Sequence, residues 1–147
     1  MAHDQNNEAL NGLLINLSRS LLQYIGEGRV WTDVRADGER QELQTLVGLQ
    51  SAGIAELANL LAGREWDIDF GTFPTDYTDL HDISLDFLFG QLIEQQQGLD
   101  REVASTVEAC SGDSAAADLL SRLTKTEQEI TERLQKLAGS RRTAAAS

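Results

Sequence analysis

Proline occurs once in this chain of 147 residues, at Pro74, while leucine occurs 22 times. Proline breaks helix interiors and leucine is a good helix former, so the chain is suited to long uninterrupted helices and poorly furnished for a sheet with proline-rich turns. Periodicity agrees. Over residues 5–27, Leu10, Leu14, Leu17, Leu21 and Tyr24 recur at steps of four and three, which sets them on one helical stripe. Asp37 can cap a second helix running to about residue 62, with the stripe Leu43, Leu46, Gln50, Gly53, Leu57 and Leu60 and with Gly63 placed to end it. Residues 63–78 lose the period, and Trp66, Ile68, Phe70, Phe73 and Tyr77 make this connection too aromatic for a free linker, so it is expected to pack across the helices. Thr78 or Asp79 can cap a third helix that reaches Ser111 and stops at Gly112. Asp113 then caps a fourth, whose stripe is Ala116, Leu120, Leu123, Glu127, Ile130, Leu134 and Leu137, and which is expected to end at Gly139. The expectation is one all-α domain over residues 1–139 followed by a disordered tail, 140–147.

Charge and composition narrow the function classes. Twelve Lys/Arg against 24 Asp/Glu leave a formal net charge of −12, which repels phosphate backbones and anionic headgroups, so neither nucleic acid nor membrane is expected as a partner. Cys110 is the single cysteine, which excludes an intramolecular disulfide and any cysteine-based zinc or iron–sulfur centre within one chain. Residues 1–8 lack a basic stretch ahead of an apolar run, and no apolar run approaches the roughly 20 residues of a membrane span, so the cytoplasm is the expected compartment. Hydrolase chemistry has no support: there is no Gly-x-Ser-x-Gly turn, and the histidines are His3 and His81. No glycine-rich strand-loop-helix that could cradle phosphate occurs either.

Three segments resemble a known family. Gln23-Tyr24-Ile25-Gly26-Glu27-Gly28-Arg29-Val30-Trp31 is similar to the end of the first helix in bacterioferritins and rubrerythrin-related ferritin-like proteins. Gln50-Ser51-Ala52-Gly53-Ile54-Ala55-Glu56-Leu57 resembles their second-helix Glu-x-x-His followed by Glu-Leu, and residues 123–134 resemble their fourth helix. The similarity spans most of residues 8–138. It implies a ferritin-like antiparallel four-helix bundle with a long crossover between helices two and three. It also implies six positions for di-iron ligands, which fall here on Leu17, Gln50, Gly53, Gln96, Glu127 and Ile130. Only Glu127 keeps a ligating residue type, because carboxamide oxygens are feeble iron ligands. The chain therefore reads as a divergent member without the di-iron centre, with no catalytic residue and no cofactor.

Gln50, Gln96 and Glu127 nevertheless sit on core stripes, where a polar group is costly unless hydrogen-bonded. The first expectation is a buried network that fixes helix register, with the Glu127 carboxyl raised; the alternative is a remnant cavity for water, a small polar ligand or a metal. A second candidate is the acidic run Glu65, Asp67, Asp69, Asp76, Asp79, Asp82 and Asp86. Within it Asp79, Asp82 and Asp86, spaced i, i+3, i+7, form a weak hard-cation candidate, although acids at a helix start are already stabilised by the helix dipole. Cys110 has no basic neighbour and reads as inert. The stretch Leu85-Asp86-Phe87-Leu88-Phe89-Gly90-Gln91-Leu92-Ile93 is apolar on nearly every side, and Leu13, Leu22 and Ile25 lie off the first helix's stripe. That surplus on helices one and three predicts a homodimer. The expected function is a non-catalytic scaffold or interaction module, with an atypical metal site or a small-ligand-binding bundle as alternatives.

Overall fold

The computed structural model describes residues 3–26, 37–77 and 85–146, leaving out side chains at residues 37, 85–86 and 141–146. It is all-α, with five helices and no strand among the described residues: α1 (Asp4–Ser18), α2 (Leu21–Gly26), α3 (Asp37–Gly63), α4 (Leu85–Ala109) and α5 (Ser114–Ala146). Hydrogen bonds between α1–α2 and α3 pair Asn7 with Arg64, Ser20 with Gln50 and Gln23 with Val47, so the two run antiparallel. The same logic, through Asn16 with Glu102 and Leu21 with Gln95, sets α4 antiparallel to α1–α2. Arg122 with Glu56 and Arg133 with Glu42 set α5 antiparallel to α3. The long helices close a ring in the order α1, α3, α5, α4. The apolar stripes point inward and fill it in two blocks: Leu10, Leu14, Leu17, Leu57, Leu61, Val103 and Leu120 in one, Leu21, Ile25, Leu46, Phe89, Leu92 and Leu134 in the other.

The first predicted helix is broken. The helical pattern continues through residues 18–21, but Ser20 carries a side chain that competes with the helical backbone. Its Oγ accepts from the Gln23 amide at 3.3 Å, capping α2, while its N–H turns to the Leu17 carbonyl at 3.3 Å. The Leu21 amide set loose by the break donates to Gln95 Oε1 at 2.6 Å. A continuous helix over residues 5–27 is thus corrected to two, joined at Arg19 and Ser20.

The aromatic connection packs as its composition implied. After α3, Glu65 takes φ 58°, and the amides of Glu65 and Trp66 close back on the carbonyls of Ala62 (3.0 Å) and Leu61 (3.0 Å) in a Schellman arrangement. The left-handed position is therefore Glu65, two residues beyond the glycine expected to hold it. From there the chain follows α1 lengthwise. Asn11 Oδ1 accepts from Trp66 Nε1 (3.2 Å) and the Asp69 amide (3.0 Å), and Asn11 Nδ2 donates to the Asp69 carbonyl (2.6 Å). Further along, Arg19 Nε donates to the Thr72 carbonyl, and the Tyr24 ring meets Phe73 and Tyr77, each at 5.2 Å between centroids. This strap accounts for a second correction. Leu13, Leu22 and Ile25, read as surplus apolar surface, are buried within the chain. On α4, Leu88, Phe89 and Leu92 are buried too, and Phe87 is the large apolar side chain left 53% exposed.

At the other end of the ring Asp113 caps α5 as predicted, through the Ala116 amide at 3.3 Å. It is also buried and accepts from Arg64 Nη2 at 2.7 Å, with His3 Nδ1 3.2 Å from its second oxygen. Gly139 does not end α5, which continues to Ala146. The alanine-rich end supplies helix propensity, and the helix runs through residues 140–146.

Candidate functional site

The two hydrophobic blocks are separated by one polar layer, built from the three polar residues that the stripes carry inward. Gln50 on α3, Gln96 on α4 and Glu127 on α5 are all buried, at 0, 2 and 0% exposure. Gln50 Nε2 and Gln96 Nε2 both donate to Glu127 Oε1, at 3.0 and 2.8 Å, and Gln50 Nε2 lies 3.5 Å from Gln96 Oε1. The helix break supplies the remaining side. Ser20 Oγ donates to Gln50 Oε1 at 3.1 Å, and Gln23 Nε2 reaches the same oxygen at 3.0 Å. One layer thus ties α2, α3, α4 and α5 together, and the kink in the first helix is what brings Ser20 to it.

Two further residues extend the layer by one helical turn. Asp100 follows Gln96 by four residues and Thr131 follows Glu127 by four, spacings that keep each pair on one face. Thr131 Oγ1 donates to Asp100 Oδ2 at 2.6 Å and lies 3.0 Å from the Glu127 carbonyl. Sequence reasoning missed both, together with Ser20 and Gln23; the i, i+4 spacing was the available signal for Asp100 and Thr131. Burial pushes the Glu127 carboxyl above the usual range, the amide hydrogen bonds from Gln96 and Gln50 oppose that, and the Asp100 charge adds to it. Asp100 is raised as well, chiefly by burial and against its bond from Thr131. Glu127 Oε2 and Asp100 Oδ1 are buried without a hydrogen-bond partner.

The donor set does not fit a di-iron centre. The six positions implied by the resemblance hold one carboxylate and two carboxamides, and both carboxamides turn their NH₂ groups, not their oxygens, toward that carboxylate. The other three are hydrocarbon or empty: Leu17 and Ile130 are fully buried, and a Cβ on Gly53 would sit 2.5 Å from Leu123 Cδ2, so the leucine already occupies that space. Comparison of the chain with protein-family models, curated proteins and solved structures finds no match. The site is therefore read from its own chemistry.

Of the second candidate, Asp79 and Asp82 lie outside the described residues, as does His81, and Asp86 lies on α4 with its side chain outside them. Asp69, also in that acidic run, is spent on the strap, its Oδ1 accepting from the Gly71 amide at 2.9 Å. Among the described residues no three His, Cys, Asp or Glu side chains gather. Cys110 is buried, and its thiol is raised by burial and by the Asp113 charge, which keeps it protonated. By length and composition alone, Gly38–Gly63 could cross a membrane, a point the run-length expectation missed. In this fold its Leu43, Leu46, Leu57 and Leu61 face the core.

Proposed function

We propose that this chain is a non-catalytic ferritin-like helical bundle, a cytoplasmic scaffold or interaction module that works as a dimer. The observation that carries the reading is the single carboxylate oxygen of Glu127 taking both buried amide donors. Where a metalloprotein of this architecture needs carboxylates and imidazoles converging on a cation, these groups converge on each other. Two features support the ferritin-like assignment: the ring order α1, α3, α5, α4, and the course of residues 64–77 after α3, which follow α1 lengthwise. For the dimer, the large apolar side chains that stay exposed among the described residues are Phe87 on α4 and Phe70 on the strap, and the proposed contact is the α4 face around Phe87, since Leu13, Leu22 and Ile25 of α1 and α2 are buried.

Two measurements test this. Elemental analysis of protein purified without chelator or affinity-tag metal is expected to find Fe, Mn, Cu and Zn far below stoichiometric; one metal per chain would overturn the non-catalytic reading. Light scattering at micromolar concentration is expected to give twice the 16.1 kDa chain mass. Phe87→Glu is expected to return the monomer, and a monomer in the unaltered protein refutes the dimer.

A further inference from the structure

The helix break also shapes the outside of the molecule. Between α1, the strap and α4 lies a cleft of about 300 Å³, whose lining includes Ser20, the residue that makes the break. Its charges are arranged unusually for a surface cleft. Arg19 and Glu102 both line it, and neither is ion-paired, with the other or with any other charged side chain, among the described residues. Arg19 is held by its Nε bond to the Thr72 carbonyl, which leaves its terminal nitrogens available. Glu102 is held by Asn16 Nδ2, which donates to Oε1 at 2.7 Å. Beside Arg19, the Tyr77 hydroxyl accepts from Gln95 Nε2 at 2.8 Å and keeps its own proton to donate, and burial raises its pKa so that the proton stays. Leu99 and Pro74 add hydrocarbon to the lining, and Gly98 contributes no side chain at all. Two opposite charges fixed by neutral partners at a concave site leave uncompensated a donor group and an acceptor group that a ligand of matching polarity satisfies.

We propose that this cleft binds a small zwitterionic amino carboxylate. The carboxylate is taken by the Arg19 terminal nitrogens and the Tyr77 hydroxyl, the ammonium by Glu102, and a short aliphatic portion lies on Leu99 and Pro74. The inference does not depend on the metal-free reading, since none of these groups except Ser20 touches the polar layer.

The test is calorimetric titration of the full chain with each of the proteinogenic L-amino acids to about 5 mM, with propionate and propylamine as singly charged controls. At least one aliphatic amino acid is expected to bind, with both controls weaker by about tenfold or more. Arg19→Gln and Glu102→Gln are each expected to weaken it about tenfold. Gly98→Leu is expected to abolish binding while the thermal unfolding transition is kept, because a Cβ there meets only Arg101 Nη2, at 3.7 Å. No heat from any amino acid, equal binding of propionate, or binding that survives Gly98→Leu would overturn the assignment.

Discussion

Gln50→Leu is the most direct probe of the polar layer, because leucine matches glutamine in size and removes every bond that Gln50 makes. The buried Ser20 hydroxyl keeps the Gln23 amide but loses the acceptor for its own proton, and a buried donor left without a partner costs about 1–3 kcal/mol. Glu127 Oε1 loses one of its two amide donors, worth about 1–2 kcal/mol. Gln23 loses little, since its Nε2 also donates to the Val47 carbonyl at 3.2 Å. Against these, burying leucine hydrocarbon returns about 1.5–2 kcal/mol. These terms span about 0–3.5 kcal/mol and centre on a net destabilisation of about 2 kcal/mol, or roughly 4–8 °C in Tm for a domain of this size. Urea unfolding followed by circular dichroism at pH 6 measures it, with m unchanged if only the folded state is affected. Because Ser20 also caps α2, amide exchange in Leu21–Gly26 should quicken more than in α5. A loss under about 0.5 kcal/mol, or uniform exchange along the chain, refutes the claim that the layer holds the break in register.

The remaining predictions concern charge and packing. Glu127 is raised in the folded state, so the native chain binds the proton more tightly than the unfolded one. Stability from this group is present below the unfolded carboxyl value of about 4.3. It falls by about 1.4 kcal/mol per pH unit until the raised value is passed, and Glu127→Gln should flatten that fall in a pH series of urea titrations, leaving the contribution of the same sign from Asp100. Asp113 behaves oppositely. Its carboxyl is lowered chiefly by the Arg64 hydrogen bond, so its contribution is present above the unfolded value and lost as pH falls through the folded one. Arg64→Met should therefore cost about 1.5–3 kcal/mol at pH 7 and less at pH 3. Gly53→Ala should destabilise by about 1–2 kcal/mol, the overpacking against Leu123 exceeding the gain in helix propensity, and the same change should stabilise a Leu123→Ala background. Chemical denaturation of the four proteins in this cycle decides it, and additivity would refute the close approach.

The parts of the fold that were legible in the sequence are those governed by period and local chemistry. Leucine spacing at three and four placed α3, α4 and α5 and brought Gln50, Gln96 and Glu127 to the interior, since a residue on a stripe goes where the stripe goes. The Asp113 cap was legible because the side chain that accepts a first-turn amide belongs to the helix it starts. Ser20 was harder. A lone serine in a helical pattern more often faces solvent, and what turns this one into a break is the pair of glutamines, 30 and 75 residues away, that accept the groups it and Leu21 release. Asn11 was invisible for the same reason, since the main chain it clamps is 58 residues distant.

By itself, then, the sequence determined an all-helical chain with an apolar interior interrupted by two amides and one acid, because helical period and side-chain polarity are local properties. The tertiary structure decided what those three residues do. Whether a buried glutamine offers its oxygen to a cation or its NH₂ to a carboxylate depends on which groups the neighbouring helices bring to face it. Here Ser20 and Gln23 take the oxygen of Gln50 and Glu127 takes the nitrogen. The cleft beside the break was likewise set only by packing, since Arg19 and Glu102 are 83 residues apart and meet one cavity only when the strap is laid along α1.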